Sequence, residues 1–187
     1  MDNYWDKVAE SYDEHLKKSE GAYAQAIELA RKELWVEDVV LDIGTGTGEI
    51  PFAIANRAAR VVAIDSSSKM IELAKTKAQQ KKTQNIEFVV KDCSLIDYPA
   101  KSFDVIIIAN LLHLIPNPDR FLRNVSSLLK TDGKLIAPTY LHAHDPRTLE
   151  LSKSMEAMGH PIENRFSMDS FVAMVEGSGY VVKTSEI

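Results

Sequence analysis

The sequence predicts an α/β fold: a doubly wound, mostly parallel sheet with helices on both faces and a helical cap at the N-terminus. Three observations predict it. From Val39 onward, short apolar runs of strand length alternate with amphipathic stretches of helical length. The runs V-V-L-D-I at 39–43 and F-D-V-I-I-I-A at 103–109 are almost wholly apolar, as parallel strands buried on both faces must be. Strands separated by helices need right-handed crossovers, which lay them parallel.

Size and composition bound the answer. The 187 residues suit a single domain with a sizeable core, divided into a cap over residues 1–36 and a core over 37–187. Hydrophobic residues make up 45% and charged residues 26%, an ordinary globular balance. A net charge of −5 argues against broad attraction to nucleic acid or an anionic membrane. No run of membrane-spanning length exists, and M-D-N-Y-W-D lacks a basic segment followed by an apolar one, so neither a membrane span nor a secretory signal is expected. The single cysteine, Cys93, excludes an internal disulfide and any multi-cysteine metal site. A cytoplasmic location is the default expectation.

The elements follow in order. Trp5, Val8, Ala9 and Tyr12 share one face of a first helix over 3–16, which Gly21 should break. A second helix is expected over about 22–34. After the first strand, Gly44, Gly46 and Gly48 form a turn that opens a short helix from Glu49, with Pro51 tolerated in its first turn. A second strand over 60–64 ends at Asp65. Ser66, Ser67 and Ser68 then offer an N-cap for a helix whose apolar face carries Met70, Ile71, Ala74 and Ala78. A third strand over 86–90 precedes Asp92, and the fourth spans 103–109. Asn117, Pro118 and Asp119 start a helix running to about Lys130. Asp132-Gly133 reads as a turn before a fifth strand over 134–139. Helices over 146–158 and 168–176 precede a sixth strand over 180–187.

In such sheets ligands bind beyond the carboxyl ends of the strands, where strand order reverses. The residues to weigh are therefore Asp42 with its glycines, Asp65, Asp92, Asn110 to His113, and Tyr140 to His144. A dinucleotide fingerprint would place Gly or Ala at position 49, which is Glu49, and a carboxylate there repels a pyrophosphate. The lysine of a phosphate-binding loop is also missing. Asp65 lies about 20 residues past the first glycine, where a carboxylate accepts from ribose hydroxyls. Asp92 can take an exocyclic adenine amine, and Asp42 an ammonium. Three carboxylates suit a cationic ligand better than a phosphate.

Taken together, these motifs resemble the class I S-adenosylmethionine-dependent methyltransferases. V-L-D-I-G-T-G-T-G at 40–48 is similar to the family's first motif. Asp65 matches its acidic ribose position and Asp92-Cys93 its adenine position. F-D-V-I-I-I-A-N-L-L-H-L-I at 103–115 and D-G-K-L-I at 132–136 resemble its fourth- and fifth-strand segments. The N-terminal Y-W-D-K-V-A-E-S-Y-D looks like the cap of many small-molecule members. The resemblance implies a Rossmann-like sheet of six or seven strands, with the final antiparallel strand missing from this sequence, and S-adenosyl-L-methionine as cofactor. It implies that Asp42, Gly44, Thr45, Gly46, Gly48, Asn110 and Leu111 surround the methionine moiety. It implies that Asp65 binds the ribose, that Asp92 and the Cys93 backbone meet the adenine, and that Ser66 and Met70 pack on the adenosine. Tyr4 and Tyr12 are lid candidates, and Tyr140 and His142 lie where acceptors are often held.

The chemistry this implies is methyl transfer to a small-molecule acceptor by a monomer or homodimer, without nucleic acid or membrane. A base is needed only if the acceptor must lose a proton, and His113 is the first candidate. Its plainer role is a packed, hydrogen-bonded histidine under the cap. His142 and His144 could share a metal, but a solvated loop is the simpler expectation and no metal is expected. Cys93 reads as a small buried residue. The alternatives are an RNA or protein methyltransferase, a non-catalytic S-adenosylmethionine-binding module, and a nicotinamide oxidoreductase, which Glu49 opposes.

Overall fold

The computed structural model describes residues 4–18 and 20–185. They group into two compact units. The first runs through Ala109 and adds Leu129–Pro138; the second consists of Asn110–Leu128 and the chain from Thr139 on.

The first unit opens with two helices, α1 (Tyr4–Lys18) and α2 (Glu20–Glu33). It continues as β1 (Val39–Ile43), α3 (Glu49–Ile54), β2 (Arg60–Asp65), α4 (Ser68–Lys81), β3 (Ile86–Val90), β4 (Phe103–Ile107) and β5 (Leu129–Ile136). The strands form one sheet in the order β3-β2-β1-β4-β5, every neighbouring pair parallel. The order reverses between β1 and β4, so the carboxyl end of β1 lies at the switch point where such sheets bind ligands.

Alternation along the strands explains the core. Val40, Val61, Val105 and Ile107 point to one face and meet Ala30 of α2 and Leu34 just after it, with Ile50 and Ile54 of α3. Two residues further along β2, Ala63 joins Phe88 against Ile71 and Ala74 of α4. The residues of opposite parity, Leu41, Ile43, Val62, Ile64 and Ile106, are buried as well. That double burial is why the central strands are almost wholly apolar between their ends. Truncating Ile54, fully buried, to alanine would cost about 2–5 kcal/mol.

The second unit holds α5 (Pro118–Ser126), α6 (Pro146–Ala157) and α7 (Met168–Gly177). The cap on α6 is reciprocal, Asp145 accepting from the Thr148 N–H while the Asp145 N–H donates to the Thr148 hydroxyl. Ser167 and Ser170 repeat the arrangement on α7. On α5, Asn117 occupies the cap position with no side-chain capping bond, and Pro118 supplies the preset first turn.

Several expectations are corrected. Gly21 does not end the first helix; it lies within α2. The helix from Pro118 stops at Ser126 instead of near Lys130, and Asp132-Gly133 sits inside β5, which ends at Ile136. The cause is a bulge: Leu129 pairs with Phe103 but Lys134 pairs with Val105. Leu129 stays buried there, while Lys130 reaches the Asp104 carboxylate at 2.8 Å. The sheet has five strands among the described residues, not six or seven. Residues 180–185 form no strand: Val181 is exposed, and Tyr180 is held instead by its hydroxyl, which donates to the Leu122 carbonyl at 3.0 Å. Residues 186 and 187 of that expected strand lie outside the described residues.

Candidate functional site

In the first unit the site is built at the carboxyl ends of β1 and β2. Gly44, Gly46 and Gly48 all take positive φ, 75°, 55° and 90°, which residues with a Cβ rarely adopt. The turn is tied to β2: the Gly44 and Thr45 N–H groups both donate to the Ile64 carbonyl, at 2.9 and 3.0 Å. Asp65 completes this link, one oxygen accepting from the Gly46 N–H at 2.8 Å and the other from the Ser67 N–H at 2.9 Å. A carboxylate has about four acceptor positions, so Asp65 keeps capacity for further donors. Gly48 starts α3, and a Cβ there would collide with Phe52 at 2.9 Å and Phe88 at 3.0 Å. Its need for glycine is therefore internal packing as well as backbone shape.

Asp42 is the unusual member. It is 2% exposed at the end of β1, and its Oδ2 has no hydrogen-bond partner. Burial pushes its carboxyl up to about 7, and the nearby Asp65 carboxylate adds to the rise. The Thr45 hydroxyl works in the opposite direction from close by, yet its buried Oγ1 also closes no hydrogen bond. Asp65 is likewise pushed up by burial and by the charge of Asp6, against the N–H groups it accepts. Two adjacent acids, one with an unanswered oxygen, make a site short of a cation or a donor.

Helix α1 lies over this turn. A methyl group at Gly46 would stand 3.0 Å from Tyr12 Cε1. Asp13 accepts from the Thr47 hydroxyl at 2.6 Å and pairs with Lys77 at 2.6 Å. Asp6 accepts from the Ser67 hydroxyl and the Lys69 N–H at the start of α4. Tyr4, Trp5 and Tyr12 stack edge to face along the helix. The sequence offered Tyr4 and Tyr12 here; Asp6 and Asp13 were not foreseen, since one acid among many on a helix carries no local signal.

The remaining residues of this unit are placed as follows. Ser67, not Ser66, caps α4, accepting from the Met70 N–H at 3.1 Å, and Met70 itself is buried. Ser66 is exposed at the end of β2. Asp92 is exposed beyond β3, and its Oδ1 takes both the N–H and the hydroxyl of Ser94 at 2.7 Å. Cys93 follows it, its thiol pushed up to about 11 by burial and then by Asp92, so it stays protonated. A separate hollow, lined by Trp35, Asp38, Asp104, Lys130 and Lys134, opens at the amino ends of the strands. Its Lys130 is paired with Asp104, and it holds none of the unpartnered buried atoms.

Asn110, Leu111, His113, Tyr140 and His142 belong to the second unit. Asn110 follows β4 with φ 51°, a left-handed conformation that asparagine tolerates better than most residues. Leu111 precedes a single 3₁₀ turn over Leu112–Leu114. His113 is 2% exposed, its Nδ1 3.4 Å from the Thr139 hydroxyl. Its ring stands 4.8 Å from His142, 6.1 Å from Tyr140 and 6.4 Å from His160, centre to centre. Burial pulls His113 down to about 3, with His142 and His160 adding to the fall; burial lowers those two as well. All three are neutral near pH 7. His142 is buried and not on a solvated loop, whereas His144 is exposed. His160, from a distant stretch, was not anticipated. No group of three His, Cys, Asp or Glu among the described residues could hold a metal ion.

A family model described as "Methyltransferase domain" matches residues 36–179. A ubiquinone biosynthesis O-methyltransferase of Coxiella burnetii is 36% identical over 100 residues, 54% of this chain and 42% of that protein. A demethylmenaquinone methyltransferase of Tropheryma whipplei is 29% identical over 159 residues, 75% of this chain and 65% of that protein. The matches thus span less than two thirds of these relatives' lengths. Among solved structures, YcgJ of Bacillus subtilis superposes with a TM-score of 0.73 at 25% identity, over 83% of this chain and 68% of that one.

Proposed function

This chain belongs to the methyltransferase-domain family, and from that premise we propose that it transfers a methyl group from S-adenosylmethionine to a small-molecule acceptor. The observation that carries the reading is Asp42: a buried carboxyl with an unanswered oxygen, at the switch point of the sheet, beside a second raised acid. The residues fit a ligand that brings positive charge and N–H donors to the glycine turn. When bound, S-adenosylmethionine supplies a methyl already activated on a positively charged sulfur.

The chain's own residues then have distinct tasks. Asp42 would take the ammonium, with Thr45 beside it, ionising as the cation arrives. Gly44 and Gly46 would hold the methionine portion against their backbone, and Asn110 and Leu111 are assigned to the same part. Asp65 would accept from the ribose hydroxyls with its spare capacity. Asp92 and the Cys93 N–H would meet the adenine, and Ser66 and Met70 the adenosine. Tyr4 and Tyr12 close from α1. Positioning of the acceptor in line can supply several kcal/mol, about 7–11 in the best model systems. His113, Tyr140 and His142 are assigned to the acceptor side. We read both units as parts of one methyltransferase domain, since the family model spans residues of each. A cytoplasmic location belongs to the same proposal and rests on the single cysteine.

Isothermal calorimetry tests this directly. S-adenosylmethionine and S-adenosylhomocysteine should both bind to the purified chain, and NADH should not. Absence of binding by S-adenosylhomocysteine, or tight binding of NADH in its place, would sink the proposal.

A further inference from the structure

Asp42 and Asp65 stand at the carboxyl ends of neighbouring strands, but only one of them is supplied with donors. The Asp65 carboxylate accepts from the Gly46 and Ser67 N–H groups, at 2.8 and 2.9 Å. Asp42 is buried, and its Oδ2 has no hydrogen-bond partner. Its partners across the sheet are Ala63 on β2 and Ile107 on β4, neither of which offers a polar side chain. The Thr45 hydroxyl in the glycine turn is buried and unpartnered too.

Other ionisable groups stand around the pair. The charge of Asp65 acts on Asp42, and that of Asp6 on α1 acts on Asp65. Lys69 of α4 partly offsets Asp6, and Lys77 of α4 is paired with Asp13 of α1. Beyond β3, Cys93 feels Asp65 and stays a neutral thiol. Two neighbouring acids shielded from water resist carrying two charges. The acid with N–H donors keeps the charge, and the acid with an unanswered oxygen keeps a proton. Burial has already brought the Asp42 carboxyl up to about 7, in keeping with that division.

Resting on the S-adenosylmethionine reading above, we propose that in the free chain the Asp42–Asp65 pair carries one negative charge and one proton, and that a ligand expels the proton only if it brings an ammonium to Asp42. The step balances. The Asp42 O–H bond breaks, its electron pair stays on the carboxylate, and the proton goes to solvent. The ammonium keeps its own protons and becomes the counter-ion. The two ends of the ligand are thereby coupled. Ribose hydroxyls donating to Asp65 steady its negative charge, and that charge holds the Asp42 proton more firmly. A nucleoside alone therefore leaves the proton in place, whereas a nucleoside bearing an amino acid removes it. Asp42 is thus the residue that distinguishes the two, and only the second binds more weakly in acid.

The test counts protons on the full chain. Calorimetry at pH 6 in phosphate and in imidazole buffer, which differ in ionisation enthalpy, gives the number released on binding. S-adenosylhomocysteine should release about one proton per chain, and its affinity should rise about tenfold per unit between pH 5 and 6.5. 5′-Methylthioadenosine keeps the nucleoside and lacks the ammonium; it should release none and bind equally across that range. In Asp42→Asn, S-adenosylhomocysteine should bind with neither proton release nor pH dependence. A second measurement needs no variant: the infrared carbonyl stretch of a protonated buried acid should fade as S-adenosylhomocysteine is added and persist with 5′-methylthioadenosine. S-adenosylhomocysteine binding with no proton release and flat affinity overturns this proposal and leaves the cofactor reading standing. Proton release that survives in Asp42→Asn, or that 5′-methylthioadenosine also causes, overturns it in the same way. Failure to bind S-adenosylhomocysteine overturns the cofactor reading, and this proposal with it.

Discussion

The glycine turn of the first unit and the histidine cluster of the second use burial in opposite directions. At the turn, desolvation raises two carboxyls, Asp42 to about 7, and leaves an acid waiting for positive charge. In the cluster, desolvation lowers three imidazoles, His113 to about 3, and leaves neutral bases waiting for a proton donor. Each centre also contains an unpartnered buried atom, Asp42 Oδ2 in one and His142 Nδ1 in the other. One physical device, removal of water from an ionisable group, thus prepares two sites of opposite chemical appetite.

The largest way to break this contrast is at Asp65. It holds the Gly46 and Ser67 N–H groups and is assigned the ribose. Hydrogen bonds to a charged group contribute about 1.5–3 kcal/mol each. Asp65→Ala should therefore weaken S-adenosylhomocysteine roughly 100-fold by calorimetry. Affinity within threefold of wild type would remove Asp65 from the site.

The next effect separates the two centres by sign. His113 sits well below its ordinary 6.5, so below that pH the unfolded chain takes up a proton that the folded chain refuses. Its contribution is complete above pH 6.5 and is lost as pH falls. Asp42 is the reverse: raised from 3.8 to about 7, it favours the fold most at low pH and loses that contribution as pH rises through about 7. Each fully displaced group changes the slope by about 1.4 kcal/mol per pH unit. In urea melts between pH 5 and 6.5, Asp42→Asn should make stability climb with pH, and His113→Leu should make it fall more steeply than in wild type. Parallel slopes in all three proteins would dissolve the contrast.

The two centres also differ in how far the sequence reveals them. The turn is local: Gly44, Gly46, Gly48 and Asp42 lie within seven consecutive residues, so their spacing carries the geometry. Asp65 is legible because β2 must end opposite β1 in a parallel crossover. The cluster is not local. His113 and His142 follow strands and attract notice for that reason, but His160 comes from a distant stretch, near where the Glu163 N–H donates to the His113 carbonyl. The burial of His142 was invisible for the same reason, since a loop reads as solvated until its neighbours are known. Among the elements, the regular alternation identified all five strands of the sheet. The bulge in β5 and the missing strand after Tyr180 depended on pairing partners, which no single stretch encodes.

A smaller test concerns backbone shape. Gly46 has φ 55° with Tyr12 close above it, whereas Asn110 adopts φ 51° with a side chain present. Gly46→Ala should cost about 1–2 kcal/mol from the left-handed conformation alone, and more from Tyr12. Adding Tyr12→Ala should recover the second part and not the first. Asn110→Gly, by contrast, should leave stability within about 1 kcal/mol of wild type. Equal losses at both positions in denaturant melts would show that neither depends on its φ.

The smallest effect falls on the contact between α1 and the turn. Asp13 accepts from the Thr47 hydroxyl and pairs with Lys77, but its side chain is 43% exposed. Partly exposed ion pairs contribute about 0–1 kcal/mol, so Asp13→Ala should barely move global unfolding. Local opening is a different quantity. If these two contacts and Tyr12 are what hold α1 down, losing about 1 kcal/mol should raise hydrogen exchange of the α1 amides about fivefold, leaving β1 and β4 unchanged. The histidine unit should show no change at all, because Asp13 and its partners all belong to the first unit. Equal exchange in wild type and variant would mean that α1 is held by its apolar face alone.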